Sequence, residues 1–502
     1  MCNKHVQGKR MTIRPPSDLA RVNRRTLLTG TAALAAAAGL TYPRHVFSQT
    51  EKNHPLAGKS VRMAILGIAG WLPSKLGVDM SPDFAKYAKA RYGYDVSFSF
   101  ADAPFGQLFQ KAATSLATRS AEYNIIISDS QWLGALATPK WIVPLNDIIA
   151  KNKELDIEWY APVVRQAYQT FPDGTANRYG FPQEGDTIAL FIRKDLLDAP
   201  GEAEAFKARY NMDMPKTWED FEKLSIEDYT KLAEFFTRPD KGYHGAAMQY
   251  SREYDFISCP LLSFMRSQGG DVWDPKTGQV QGVIDTATNA KAMEQYKAML
   301  KYQPPGAINY GIAEIVDVFA QGKVFSAWQW AAVGKAMITP AMQGKVMVVP
   351  PPGFKQADGS LKRDYIIGGQ PWVLNAFNDD AHARVALDFM KWWYLPETQM
   401  EFAKRGGNPC DKATLSVAGF DELQPWYRTY KYMLPRSSDF WHDPKYSEML
   451  AVQQEAFTAY ATGQINDPAH ALAYVACKQQ DILFDSGTAS KQPSGACSGI
   501  RL

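Results

Sequence analysis

The sequence predicts an α/β protein built on a doubly wound parallel sheet flanked by helices, and three observations carry that expectation. Apolar strand-like runs alternate with amphipathic helical stretches from residue 60 onward, and the alternation resumes after Thr187. The chain has 502 residues, 46% hydrophobic and 21% charged, enough for two or three compact units with large cores and unlike the charge-rich composition of a disordered chain. Strands that recur through intervening helices pair in parallel within one layer, with helices covering its faces.

The first 48 residues differ in character from the rest of the chain. Arg24 and Arg25 lead into an uncharged run from Leu27 to Leu40, too short to span about 30 Å of hydrocarbon and read as the apolar region of a signal peptide. The string Asn23-Arg24-Arg25-Thr26-Leu27-Leu28 resembles the twin-arginine export motif. A general secretory signal with two arginines is the alternative, and both imply export. Val46 and Ser48 place cleavage after Ser48. No cysteine stands close behind the apolar run and no later run is apolar enough for a membrane helix, so the mature protein is expected to be soluble in the periplasm. Removing residues 1–48 leaves 47 basic against 51 acidic residues, which turns a formal +3 into about −4. Nucleic-acid binding therefore has little support.

Ser60 to Ile65 reads as a first buried strand, Pro82 to Arg91 as a helix, and Tyr94 to Phe100 as a second strand. Gln107 to Thr118 is amphipathic, and Tyr123 to Ile127 is a third strand. In such sheets ligands sit beyond the carboxyl ends of the strands, which directs attention to Gly67–Trp71, Ala101–Phe105 and Asp129–Trp132. Further strands are expected at Thr187 to Arg193, Val324 to Trp330 and Val346 to Val349. Thr217 is a helix N-cap with Asp220 at N3, and helices are expected over Asn289 to Tyr302, Arg384 to Trp393 and Pro396 to Lys404. The Ser/Gly-rich tail, 486–502, is expected to be flexible. Four mature cysteines allow three pairings. Cys477 with Cys497 would tie down that tail, and free buried thiols are the alternative.

Planar aromatic faces cover the CH face of a pyranose while carboxylates and amides bond its hydroxyls, and both residue types recur at predicted strand ends. Trp71, Trp132, Tyr254, Trp273, Trp328, Trp330 and Trp372 are the aromatic candidates. Packing in the core competes with this role for each taken singly. Trp328 and Trp330 share one face of a strand, which either lines a cleft or packs under a helix.

Several segments in order carry a family likeness: Tyr179-Gly180-Phe181-Pro182 with Gly185-Asp186 and Leu190 to Leu197, Pro215-Lys216-Thr217-Trp218-Glu219-Asp220-Phe221, and Gly269-Gly270-Asp271-Val272-Trp273. Phe319 to Trp330, Pro351-Pro352-Gly353, Gly368-Gly369 and Pro396-Glu397-Thr398-Gln399 continue it. Over residues 60 to 410 the chain resembles the family 1 extracellular solute-binding proteins, the maltose-binding-protein-like group with the periplasmic binding protein type II fold. The resemblance implies two lobes, each a doubly wound mixed sheet flanked by helices, 58–186 plus 346–394 and 187–345 plus 395–485, hinged near Glu184 to Ala189, Gly344 to Val349 and Trp392 to Pro396. It implies Trp328 as an aromatic platform and Tyr254 as a stacking ring. Asp102, Asp129, Glu184, Asp186, Gln370, Arg405 and Asn408 are implied as polar ligand contacts. Helix N-capping competes for Asp102 and Asp129, and a helix C-cap competes for the Arg405-Gly406-Gly407-Asn408 loop. It also implies a monomer that carries a mono- or oligosaccharide, polyol or glycoside to an ABC permease, with no cofactor and no catalysis. Val324-Phe325-Ser326 and the long 415–485 segment depart from the family pattern.

Two other readings remain open: the same fold with a polyamine, organic anion or ferric ion as ligand, and an exported enzyme. The second lacks a His-Glu-x-x-His, a Cys-x-x-Cys, a Gly-x-Ser-x-Gly or a dinucleotide glycine fingerprint, and the five mature histidines are scattered.

Overall fold

Alternating and continuous apolar runs become strands, which the computed structural model describes over residues 53–502. The expected signal peptide lies outside the described residues. In chain order the strands are β1 (Ser60–Ile68), β2 (Asp95–Ala103), β3 (Ile125–Ile127), β4 (Gly180–Pro182), β5 (Asp186–Arg193) and β6 (Ser326–Trp330). They continue with β7 (Val346–Val349), β8 (Phe354–Lys355), β9 (Leu361–Lys362), β10 (Tyr365–Gly368), β11 (Pro371–Leu374) and β12 (Ser437–Ser438).

A first sheet has the order β2-β1-β3-β11-β4. β1 is parallel to β2 and β3, and β11 runs antiparallel to β3 and β4. The helices Ser81–Tyr92, Phe105–Ala117 and Asp380–Trp393 cover it, their apolar stripes meeting its buried Ile and Met side chains. A second sheet runs β12-β10-β5-β6, with β7 on the far half of the β10 edge of β5. Both sheets are mixed and flanked by helices. The Thr217–Asp220 capping box forms on the Trp218–Glu222 helix.

Three expectations are corrected. First, the chain passes between the sheets at 183–185, at 369–370 and again between Arg405 and β12, and not at 344–349. Val346 to Val349 pairs with Leu190 to Arg193, so this stretch belongs to the second sheet and not with 58–186. Gly369 makes its passage possible: its φ is +94°, and a Cβ there would lie 2.6 Å from the Glu184 carbonyl oxygen. Second, the Pro396–Arg405 helix stays with the first sheet, where it packs on the Leu72–Asp79 helix and Arg405 pairs with Asp83. Third, the tail is held in place. Cys477 and Cys497 form a disulfide, and Gln281 Nε2 donates to Ser494 Oγ at 2.6 Å. Cys259 and Cys410 are free and buried.

The long 415–485 segment adds the helix pair Tyr446–Thr462 and Pro468–Asp485, which packs against the Ser258–Ser267 and Ala287–Ala298 helices. Among the described residues no helix is long and apolar enough to cross a membrane.

Candidate functional site

The carboxyl ends of β1, β2 and β3 deliver Trp71, Phe105 and Asp129 to one wall of a cavity between the two sheets. The opposite wall is the Tyr254-Asp255-Phe256 turn, Cys259 on the next helix, Ile312 and Trp330. The passage Gly368-Gly369-Gln370 forms its floor, and Phe440, just past β12, closes one side. The cavity is about 30 Å³, room for one or two waters. It opens past Trp71, Phe105, Tyr254, Phe256 and Ile312 onto an outer chamber of about 610 Å³.

Rings from the two sides meet across this opening. Phe105 stacks on Tyr254 at 5.2 Å between centroids, and Trp132 sets its edge against Tyr254 from behind at 6.2 Å. Tyr254 has φ +51°, an uncommon conformation for a residue with a Cβ and a mark of strain concentrated at functional turns. That backbone aims its hydroxyl across the cleft, where it donates to Asp129 Oδ2 at 2.6 Å. Gln131 Nε2 donates to both Tyr254 Oη, at 2.9 Å, and Asp255 Oδ2, at 3.0 Å. One network thus joins a post-strand loop of the first sheet to a turn of the second.

Among the described residues no cation pairs with the carboxyls of this network. Burial pushes Asp129 up to about 6, against the lowering effect of the Tyr254 hydroxyl. Burial pushes Asp255 up to about 8, and the neighbouring Asp129 charge adds to it. Behind Trp71, whose Nε1 donates to Glu184 Oε1 at 2.6 Å, burial and the Asp186 charge raise Glu184 well above the carboxylate range. Glu184 Oε2 and Gln370 Oε1 are buried without a partner. Among the described residues there is no cluster of three His, Cys, Asp or Glu side chains that could hold a metal ion.

Residues 76–400 match the family of bacterial extracellular solute-binding proteins. The chain belongs to that family. A mannitol-binding protein of Pseudomonas aeruginosa is 24% identical over 243 residues, 48% of this chain and 49% of the relative. The chain spans about half the length of the curated relatives it matches. An ABC transporter solute-binding protein of Agrobacterium radiobacter K84 in complex with ribitol superposes with a TM-score of 0.66 at 20% identity, covering 85% of this chain and 100% of that one. Maltose-bound MalE3 of T. maritima gives 0.66 at 19% identity, covering 84% and 100%. These likenesses show the fold, and both family and structural neighbours are binding proteins.

Within this solute-binding protein, Trp71, Asp129, Tyr254, Trp330 and Gln370 come together on the cavity. Glu184 supports Trp71 from behind. Asp129 also accepts from the Gln131 backbone N–H at 3.4 Å, so it caps a short turn while facing the cavity. The other predicted residues lie elsewhere. Asp186 Oδ1 is bound by the backbone N–H groups of Thr187 and Ala332 and by Asn408 Nδ2, and Asn408 in turn holds Trp426, so both brace the base of β5. Trp328 donates to Tyr229 Oη at 2.7 Å beneath the Ser258–Ser267 helix, and Trp372 packs on Phe389 and Trp393 in the first core. Trp273 stacks on Trp441 at 4.4 Å, and Asp102 lies in an outer groove beside Lys111. Arg405 pairs with Glu401 and Asp83 at the surface, and Gly406 at φ +98° is the C-cap of its helix. The residues missed are Phe105, Gln131, Asp255, Phe256, Cys259, Ile312 and Phe440. Phe105 and Gln131 stand in the post-strand segments Ala101–Phe105 and Asp129–Trp132, and Asp255 and Phe256 adjoin Tyr254.

Proposed function

We propose that this protein is the exported, substrate-binding component of an ABC importer, which holds a polyol or a mono- or oligosaccharide in the cavity between its sheets and releases it unaltered to a membrane permease. One observation carries the reading: rings and hydrogen-bonding carboxyls and amides from both sheets converge on one cavity at the carboxyl ends of the first sheet's strands. The known ligands of the relatives, mannitol, ribitol and maltose, agree with that chemistry. A guest larger than water needs the Phe105 and Tyr254 rings to part, so the two sides separate for entry and a bound ligand favours their reclosure. On this reading the protein acts as a periplasmic monomer without a cofactor, and the permease reads the closed form.

The test is titration of residues 49–502 against a panel of polyols and saccharides, monitored by tryptophan fluorescence and thermal unfolding. A true ligand at a hundred times its Kd stabilises the fold by about 2.7 kcal/mol. A panel that leaves both signals unchanged would overturn the proposal, and steady turnover of a glycoside would replace it with an enzyme.

A further inference from the structure

The inner cavity and its outer chamber share a one-sided chemistry. Asp129 and Asp255 are the charged residues lining the cavity, and the outer chamber adds Glu253 and Glu314. Among the described residues no Lys, Arg or His lines either space. The donors that reach the two inner carboxyls are neutral: the Tyr254 and Ser130 hydroxyls and the Gln131 backbone N–H on Asp129, and the Gln131 amide and the Cys259 thiol on Asp255. The nearby cations are engaged away from the cavity. Arg266 Nη1 donates to the Asp439 carbonyl oxygen, and His442 stands between Asp173 and Asp439.

A second observation points the same way. Gln370, only 3% exposed and part of the cavity lining, leaves its Oε1 acceptor unpartnered. An acceptor-rich wall is best met by a guest that donates, and a buried carboxylate is best met by one that brings a positive charge. The rest of the lining suits that charge as well. Trp71, Phe105, Tyr254, Phe256, Trp330 and Phe440 surround the cavity with rings whose faces attract cations.

We propose that, among polyhydroxylated solutes, this cavity selects members bearing an ammonium group, amino sugars or aminopolyols, over their neutral counterparts and against their carboxylate counterparts. The inference rests on the function proposed above and narrows its ligand class. The proton balance supports it. With Asp129 held up to about 6 and Asp255 up to about 8, the unliganded pair retains about one proton at neutral pH. An entering ammonium favours the ionised carboxyls, so its binding releases protons to solvent. A neutral polyol has no such requirement.

Matched triads test the idea on residues 49–502. D-glucitol is compared with 1-amino-1-deoxy-D-glucitol and D-gluconate, and D-glucose with D-glucosamine and D-glucuronate. Calorimetry at pH 7 in two buffers of different ionisation enthalpy reads affinity and proton release together. The expected result is an amine bound at least tenfold more tightly than its alcohol in one triad, with proton release, and no detectable heat from the acid. Asp255→Asn should shrink the amine-to-alcohol ratio severalfold. If the alcohol binds as tightly as the amine, or the acid binds too, the charge preference is wrong and the solute-binding function stands. If no member of either triad binds and the wider neutral panel is also silent, both proposals fall.

Discussion

In the strap after β12 His442 stands between Asp173 and Asp439, at 2.6 and 2.9 Å, whereas at the mouth of the cavity Asp129 and Asp255 are bound by Tyr254 and Gln131 and, among the described residues, pair with no cation. Both groups of charges join the two sides of the molecule. The His442 strap comes just after β12 of the second sheet, and its carbonyl oxygen passes so close to Gly134 that a Cβ there would lie 1.6 Å away. Burial alone would lower His442, yet the two carboxylates outweigh it and hold it up to about 10, so its charge is compensated. The acids of the mouth carry an uncompensated burial cost. Equal residue types thus serve opposite ends: the strap spends its charges on the fold, whereas the mouth leaves acceptors for a guest.

Making the strap resemble the mouth should give the largest effect. His442→Ala leaves Asp439 buried without its cation and is expected to cost about 3–5 kcal/mol in urea unfolding at neutral pH. The same contrast has a pH signature. His442 rises from 6.5 to about 10, and Asp129 and Asp255 rise from 3.8 to about 6 and about 8. For all three the folded chain holds protons that the unfolded chain has already lost, so stability falls as pH rises, between about 4 and 8 for the acids and between about 6.5 and 10 for the histidine. Melting temperature measured from pH 5 to 9 should therefore decline. His442→Ala should flatten the alkaline part of the decline, and Asp255→Asn the part below pH 8.

Two aromatic substitutions separate fold from mouth at smaller cost. Trp328→Phe removes the donor to Tyr229 and leaves a void in the second core, so it is expected to lose about 2 kcal/mol of stability with ligand affinity unchanged. Phe105→Ala removes a half-exposed ring that faces Tyr254 and should do the reverse. Affinity for the best ligand of the panel should drop about ten- to thirtyfold, with little change in the melting temperature of the unliganded protein.

The sequence made the first sheet readable because its strand–helix alternation is local, and with it came the post-strand loops that hold Trp71 and Asp129. Depth along a strand was not readable. Alternation places Trp328 and Trp330 on one face, but two residues of rise separate a ring under the Ser258–Ser267 helix from one at the end of β6. Strand partnership was equally hidden. Val346 to Val349 reads as a strand in isolation, and only pairing with a segment some 150 residues earlier assigns it to the second sheet. Asp255 carries no local signal of its role, because its burial beside Asp129 depends on a contact that Gln131 makes with it across 124 residues of chain.

Arg405 gives the smallest effect and the sharpest check on where the mouth ends. Its guanidinium pairs with Glu401 and Asp83, and all three side chains are between 34% and 46% exposed, so solvent screens the pairs. Arg405→Ala should cost at most about 1 kcal/mol, read by urea unfolding. Its backbone carbonyl, which accepts from Lys335, survives the substitution, so the loop before Asn408 keeps its course. Affinity for the panel's best ligand should stay within about twofold, since such a surface pair couples only weakly to a site it does not touch. A tenfold loss would instead extend the mouth to the end of the Pro396–Arg405 helix and give it a cation of its own, which would weaken the contrast between mouth and strap.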